Sequence, residues 1–172
     1  MIKKIAAFFI CMLLMIAAGV DAQNTRTIFL IRHADKVSED TDAPLSDAGV
    51  RRARCLAITL ADAQIQQIFT SDLQRTQQTA APLAEKLHLK PVAIPISAPE
   101  KLIEAVRSSK EANILVVWHD ATLPMILSAL GAPPIPPIAH TEYDRFFILT
   151  LSGDKTNPQP RFTALRYCDN SN

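Results

Sequence analysis

The chain has 172 residues, of which 48% are hydrophobic and 20% charged, and its formal net charge is +1 at pH 7. This length suits one domain with a sizeable hydrophobic core. A nearly neutral chain lacks the concentrated positive charge that attracts nucleic acid, so we expect no nucleic-acid partner.

The N-terminus has the pattern of a secretory signal peptide. Two lysines precede an apolar stretch at 5–18, and small residues favour cleavage between Ala22 and Gln23. The apolar stretch is too short for a comfortable membrane span, which disfavours an uncleaved anchor helix. We therefore expect a signal peptide at 1–22 and a single domain at 23–172. We also expect export to the periplasm and no stable membrane insertion after cleavage.

Two short apolar runs, 28–31 and 114–118, are typical of strands buried on both faces. In open α/β sheets, ligands bind beyond the carboxyl ends of the strands. Polar residues stand at that place in both cases: Arg32, His33, Asp35 and Lys36 after the first run, and His119 and Asp120 after the second. These two strand ends are the main functional signal in the sequence.

A helix is predicted after the loop at 34–45, with Ser46 as its N-cap. Its apolar residues recur at helical spacing: Ala53, Leu56, Ala57 and Leu60. Three arginines lie off that stripe: Arg51, Arg52 and Arg54. We expect these arginines to be solvated.

A second strand is predicted at 65–70, followed by a helix that Ser71 or Asp72 caps. Arg75 falls in the first turn of this helix, where the helix dipole disfavours a cation. The position becomes favourable when the helix N-terminus and the guanidinium share an anion. The change from strand to helix at this point favours the anion-binding interpretation over a surface arginine.

The remaining elements continue the alternation: a strand at 92–96, a helix at 100–108, a strand at 114–118, a helix at 122–130, a proline-rich loop at 131–138, and a terminal pair of strands at 143–151 and 161–167. This order predicts an α/β three-layer sandwich with a mostly parallel central sheet flanked by helices. Cys55 and Cys168 lie outside the signal peptide. They either pair or remain two separate buried thiols, because the sequence does not fix their distance.

Two arginines and two histidines near strand ends suit the chemistry of a phosphoryl group. Arginine offers two parallel donors to phosphate oxygens, and a neutral histidine can act as a nucleophile. A second histidine, if protonated, adds positive charge where the transition state spreads negative charge. A carboxylic acid must protonate the leaving alkoxide. No metal ion or other cofactor is required, and the four histidines lack zinc-ligand spacing.

Three segments resemble motifs of the histidine phosphatase superfamily, whose branches include phosphoglycerate mutases and histidine acid phosphatases. They are Arg32-His33-Ala34, the segment 71–80 that contains Arg75, and Val116-Val117-Trp118-His119. The resemblance covers essentially the whole chain after the signal peptide. It is greatest to small secreted members of the mutase-like branch that read Arg-His-Ala-Glu-Lys, where this chain has Asp35.

The resemblance implies a phosphoglycerate mutase-like fold in which His33 is the nucleophile and Arg32, Arg75 and His119 form the phosphate pocket. Lys36 then either contacts the substrate phosphate or is solvated. Ala34 replaces the usual glycine, which reduces backbone freedom at that turn.

The proton donor has two candidates. In the acid-phosphatase branch it is the aspartate directly after the second histidine, which Asp120 matches. In the mutase-like branch it is a glutamate after the third strand, where this chain offers Glu100. We prefer Asp120 and keep Glu100 as the alternative, because an acidic residue at a helix N-terminus commonly has only a structural role.

These observations predict a metal-independent phosphatase that hydrolyses phosphomonoesters through a phosphohistidine intermediate. Its partner would be a small phosphorylated substrate or a phosphoprotein, and the sequence assigns no oligomeric state. The alternatives are a phosphohistidine protein phosphatase and a catalytically inactive module that binds phosphate or a phosphoglycan. His88 and His140 are expected to be ordinary surface or loop residues, and the segment 143–145 is expected to form an internal ion pair.

Overall fold

The structure is a computed structural model that describes residues 25–153 and 159–168. The predicted signal peptide at 1–22 and its cleavage site lie outside these residues. Within the described ranges, no helix is long and apolar enough to span a membrane.

The described residues form these elements in chain order: β1 (Arg26–Arg32), α1 (Asp47–Thr59), β2 (Gln67–Ser71), α2 (Gln74–Leu87), β3 (Val92–Ile94), α3 (Pro99–Ser108), β4 (Asn113–Trp118), α4 (Leu123–Ala129), β5 (Arg145–Ser152) and β6 (Gln159–Arg166). The strands form one sheet in the order β3-β2-β4-β1-β5-β6. Its first three pairings are parallel, whereas β5 and β6 add at one edge in antiparallel orientation. The prediction of a mostly parallel α/β sheet is confirmed.

Side chains of alternate residues on the central strands pack into two hydrophobic clusters, one on each face of the sheet. On β1, Leu30 packs in one cluster with residues of α3 and α4, and Ile31 packs in the other with residues of α1 and α2. Both side chains are fully buried, as is Trp118 at the end of β4. Burial of a large apolar side chain contributes about 1.5–3 kcal/mol, so these two clusters hold the three layers together.

The strand register brings the functional strand ends together. Arg32 pairs with Trp118 across the parallel β1–β4 ladder. The backbone N–H of His33 continues the ladder by donating to the carbonyl of Trp118 at 2.8 Å. His33 and His119, the next residue of each strand, therefore emerge side by side at the carboxyl edge of the sheet.

The two predicted helix starts have different outcomes. Ser46 caps α1, since its hydroxyl accepts the backbone N–H of Gly49 at 3.1 Å. The predicted caps of α2 are wrong, because Ser71 is still the last residue of β2 and the helix begins only at Gln74. The N-terminus of α2 is instead satisfied from a distant loop, where the Asp42 carboxylate accepts the N–H of Gln74 at 2.7 Å.

Cys55 on α1 and Cys168 after β6 form a disulfide, with their Cα atoms 6.1 Å apart. This settles the pairing that the sequence left open. The bond joins the first helix to the segment that follows the last strand.

Candidate active site

His33 lies directly after β1 and is 2% exposed. Its Nδ1 lies 2.8 Å from the carbonyl oxygen of Ala34, and a carbonyl can only accept, so Nδ1 carries the proton. The other ring nitrogen, Nε2, is then the one with a free lone pair. Burial, together with nearby His119, Arg32 and Arg75, lowers the pKa of His33 to about 3. The ring is therefore neutral at ordinary pH, which is the state a nucleophile needs.

Arg32 is buried at the end of β1 and is held from outside by the 139–142 segment. Its NH1 group donates to the carbonyls of Ala139, His140 and Glu142 at 3.0, 2.8 and 3.1 Å. The guanidinium carbon lies 4.2 Å from the ring centre of Tyr143, a cation–π distance. Its buried Nε–H has no hydrogen-bond partner. This donor remains available to an anion.

Arg75 lies in the first turn of α2, as the sequence predicted, and is largely buried. Its NH1 group donates to the carbonyl of Thr41 at 2.7 Å, and its NH2 group lies 3.3 Å from Nδ1 of His119. Its Nε–H, like that of Arg32, is buried without a partner. A buried donor without an acceptor is costly, so two of them in one pocket indicate an anion-binding site.

His119 faces His33, with the two ring centres 5.2 Å apart. Its Nε2 lies 2.8 Å from the Ser71 hydroxyl, and its Nδ1 faces Arg75. Burial, followed by the charges of Arg75 and Arg32, lowers the pKa of His119 to about 3. The sequence interpretation used a protonated His119. The geometry instead keeps the ring neutral, because a guanidinium can only donate to Nδ1.

Thr79 is a site residue that sequence reasoning missed. Its hydroxyl accepts the backbone N–H of Ala34 at 2.9 Å and donates to the carbonyl of Arg75 at 2.6 Å. The residue after the nucleophile is thereby fixed to the helix that carries Arg75. The sequence did hold a sign of this role. Thr79 stands four residues after Arg75, on the side of α2 that also carries buried Ala80 and Leu83.

The two proton-donor candidates occupy different places. Oδ2 of Asp120 lies 3.2 Å from NH2 of Arg32 and 3.0 Å from Nδ1 of His140, so Asp120 belongs to the pocket. Glu100 is exposed in the first turn of α3 and makes no hydrogen bond or ion pair with the described residues. His140 is an exposed loop histidine, as expected, but its backbone carbonyl also accepts from Arg32 and its ring contacts Asp120.

Asp35 and Lys36 follow the nucleophile in sequence, but their side chains pair with charged residues other than those of the pocket. The Asp35 carboxylate accepts from Nε of Arg52 at 2.7 Å, and the Lys36 ammonium pairs with Glu39 at 2.6 Å. Arg52 was predicted to be solvated, which is wrong. It is buried, because it also donates to the carbonyl of Cys168 at 2.9 Å and so bridges both ends of the domain.

The expected internal ion pair at the start of β5 is present. Asp144 accepts two hydrogen bonds from Arg166 on β6, at 2.6 and 2.7 Å. Glu142 pairs with Arg166 as well, at 2.8 Å. These contacts brace the segment that holds Arg32. In residues 25–153 and 159–168, no three histidine, cysteine or acidic side chains come close enough to hold a metal ion.

Comparisons with known proteins identify similar sequences and similar folds. Residues 28–105 match the family model of the histidine phosphatase superfamily, branch 1. The probable phosphoglycerate mutase GpmB of Yersinia enterocolitica is 37% identical over 75 residues, which are 40% of this chain and 35% of that protein. The same-named protein of Yersinia pestis is 33% identical over 75 residues, with the same coverage. The chain thus spans about a third of the length of these curated relatives.

Solved structures share the fold. The protein histidine phosphatase SixA complexed with tungstate has a TM-score of 0.58 at 20% identity, over 81% of this chain and 96% of that chain. Mycobacterial glucosyl-3-phosphoglycerate phosphatase has a TM-score of 0.59 at 16% identity, over 83% and 99%. At these identities the likeness is one of fold. The fold, the polar residues at the strand ends and the match over residues 28–105 all point to the histidine phosphatase superfamily, and the curated relatives similar to this chain over 75 residues are probable phosphoglycerate mutases.

Proposed function

We propose that this protein is a phosphatase that hydrolyses phosphomonoesters through a phosphohistidine on His33, without a metal ion. One observation carries the proposal. A neutral imidazole with its proton fixed on Nδ1 stands in one pocket with two buried guanidiniums, and each guanidinium has an unused Nε–H. The free Nε2 can attack phosphorus while Arg32 and Arg75 bind the phosphoryl oxygens.

In the first step, the lone pair of His33 Nε2 forms a bond to phosphorus and the bond from phosphorus to the ester oxygen breaks. The leaving oxygen takes a proton from the carboxyl group of Asp120, so an alcohol departs and a carboxylate remains. The ring gains positive charge as it is phosphorylated. The hydrogen bond from Nδ1–H to the carbonyl of Ala34 at 2.8 Å stabilises that charge.

In the second step, water attacks phosphorus and the nitrogen–phosphorus bond breaks, which returns the lone pair to His33. The Asp120 carboxylate takes a proton from the attacking water and becomes the acid for the next cycle. Inorganic phosphate is released. Asp120 is the preferred acid and base because it lies in the pocket, 3.2 Å from Arg32, whereas Glu100 makes no hydrogen bond or ion pair with the described residues.

A finer proposal concerns the type of family member and its location. We infer a small secreted member that takes small phosphorylated molecules or a phosphoprotein, exported to the periplasm as a single domain at 23–172. The lysines, the apolar stretch and the small residues before Gln23 support export, and a disulfide suits an oxidising compartment. N-terminal sequencing of exported protein should begin near Gln23. Membrane-bound protein that retains residues 1–21 would contradict this.

Turnover tests the main proposal. Purified protein with a chelator present should release phosphate from a chromogenic phosphomonoester. Enzyme given labelled substrate and quenched with detergent at alkaline pH should carry a label that is stable in base and lost in acid. His33→Ala should abolish the adduct, and His88→Ala, at an exposed helix end, is the matched control. A binding-only module would bind phosphate without turnover, and an adduct that survives in His33→Ala would place the nucleophile elsewhere.

A further inference from the structure

A chain of buried hydroxyl groups extends from His119 into the protein, on the side opposite Arg75. Nε2 of His119 lies 2.8 Å from Oγ of Ser71, which lies 2.9 Å from Oγ1 of Thr76. Oγ1 of Thr76 lies 2.9 Å from the carbonyl of Leu73 and 3.1 Å from that of Ser71. Ser71 and Thr76 are fully buried. The mechanism proposed above does not use either hydroxyl.

The groups at the two ends of this series of hydroxyls fix the direction of every hydrogen bond in it. The carbonyls at the inner end can only accept, so Thr76 donates to them and accepts from Ser71. Oγ of Ser71 also accepts the backbone N–H of Leu73 at 3.2 Å. Its single proton is therefore committed to Thr76, and the hydroxyl must accept the Nε2 proton of His119.

The outer end of the chain requires the same tautomer. NH2 of Arg75 lies 3.3 Å from Nδ1 of His119, and a guanidinium has no lone pair to offer. Nδ1 must therefore be the unprotonated nitrogen. The reverse arrangement, with Ser71 donating to Nε2, would set an N–H on Nδ1 against the N–H of Arg75.

We propose that Ser71 and Thr76 are positioning residues that hold His119 in its Nε2-protonated tautomer, so that Nδ1 is the atom facing the phosphoryl group. The identity of the ligand rests on the proposed phosphatase function, whereas the tautomer does not. A phosphoryl oxygen bound here accepts the Arg75 N–H in place of Nδ1. Since two acceptors repel, that oxygen and Nδ1 must then share a proton. Binding of a phosphate dianion then takes up one proton.

The surroundings of the ring support this uptake. Arg75 from α2 and Arg32 from β1 face His119, neutral His33 lies beside it, and Asp120 follows it in the chain. Burial and the two guanidiniums keep the pKa of the ring low before an anion arrives. A bound phosphate opposes both guanidiniums and favours a proton at Nδ1.

Nitrogen NMR of ¹⁵N-histidine protein reads the tautomer directly, with the signal of His119 identified by its loss in His119→Gln. Wild-type protein should show a protonated Nε2 and an unprotonated Nδ1. Ser71→Thr and Thr76→Ser keep the hydroxyls and should keep this pattern. Thr76→Val has the same shape but frees the Ser71 proton, and Ser71→Ala removes the acceptor. Both should raise the Nδ1-protonated population.

Titration calorimetry with inorganic phosphate, at a pH where free phosphate is a dianion, gives the second readout. The heat of binding is measured in buffers that differ in ionisation enthalpy. Its variation between buffers gives the number of protons taken up, which should be about one per phosphate. The count should fall by half or more in Thr76→Val and Ser71→Ala and persist in Thr76→Ser. A wild-type Nδ1–H would overturn the proposal, as would unchanged tautomer and uptake in both hydroxyl-deleting variants. Failure of turnover alone would refute the phosphatase function and leave the tautomer result standing.

Discussion

Nδ1 of His140 lies 3.0 Å from Oδ2 of Asp120 at the edge of the phosphate pocket. The histidine side chain is 81% exposed and that of the aspartate only 13%, so this contact links a pocket carboxyl to a ring at the surface. Arg32 occupies the same carboxylate oxygen at 3.2 Å. Because two groups share Oδ2, the other oxygen, Oδ1, is the one that can carry and deliver a proton.

Asp120→Asn should slow cleavage of alkyl phosphates far more than that of nitrophenyl phosphate. An alkoxide needs protonation to leave, whereas a nitrophenolate leaves with little help. The side-chain amide retains the size of the carboxyl group, so formation of the phosphohistidine from the activated ester should persist. Rates for a sugar phosphate and for the nitrophenyl ester, measured on the same preparation, give the ratio.

Glu100→Gln is the control for this experiment and should leave the ratio unchanged, since Glu100 is exposed and makes no hydrogen bond or ion pair with the described residues. If Glu100→Gln shows the selective loss and Asp120→Asn does not, the two assignments exchange. If neither variant shows it, another acid is used or the substrate needs little protonation.

Arg75→Ala should lower the rate about a hundredfold, which corresponds to roughly 3 kcal/mol of transition-state stabilisation. The side chain supplies the unused Nε–H and also fixes Nδ1 of His119, so both functions are lost together. Arg54→Ala, on the exposed side of α1, is the matched control and should remain active. Steady-state kinetics and a circular dichroism spectrum separate lost chemistry from lost fold. A near-wild-type rate in Arg75→Ala would return this residue to the class of surface arginines.

Gly49→Ala should damage both stability and activity. A Cβ atom built at Gly49 would lie 2.1 Å from the carbonyl oxygen of Asp35, and backbone cannot yield as a flexible side chain does. Overpacking of this kind costs about 1–3 kcal/mol, and here it displaces the segment just after the nucleophile. The free energy of unfolding in urea and the rate constant should both fall. Val50→Ala, at an exposed position one residue later, should change either quantity little. Normal stability in Gly49→Ala would show that α1 can shift freely.

Acid should destabilise the protein before its carboxylates titrate. Unfolded histidine has a pKa of 6.5, whereas burial lowers the pKa of His33 and of His119 to about 3. Between these values the unfolded chain binds more protons, so the free energy of unfolding decreases as pH falls, by up to about 1.4 kcal/mol per pH unit and histidine. Urea unfolding between pH 6.5 and about 5, above the range where unfolded carboxylates titrate, measures this slope.

His119→Gln should reduce the slope, because it removes one of the two buried rings. His88→Gln, at the exposed end of α2, is the control and should keep the wild-type slope. A flat pH dependence in the wild-type protein would mean that the buried rings accept protons without cost.

The parts of the site that the sequence predicted are those set by short-range pattern. The apolar runs before Arg32 and His119 identify buried strands, and parallel strands bring their carboxyl ends to one edge. Arg75 could be assigned to a helix start for the same reason. Each of these inferences needs only a few consecutive residues.

The parts that it did not predict depend on contacts between distant segments. Arg52 appears solvated from its helical position, yet Asp35 and the carbonyl of Cys168 both reach it. Ser71 has the chemistry of a helix cap, but Asp42 fills that role from a loop and leaves the hydroxyl to His119. Propensity cannot choose between such partners, because tertiary contacts decide which of them is near.

The disulfide also divides the pocket topologically. It closes a covalent ring over the 113-residue separation from Cys55 to Cys168, and this ring carries Arg75, His119 and Asp120. Arg32 and His33 lie outside the ring, on a strand whose two neighbours, β4 and β5, both belong to it. After a cut in the loop at 37–44, only non-covalent contacts would hold that strand against the ring: the backbone ladders, the buried side chains and the hydrogen bonds of Arg32. Such a cut would give two fragments. One is the disulfide-closed ring with Arg75, His119 and Asp120, and the other is the β1 peptide with the nucleophile His33.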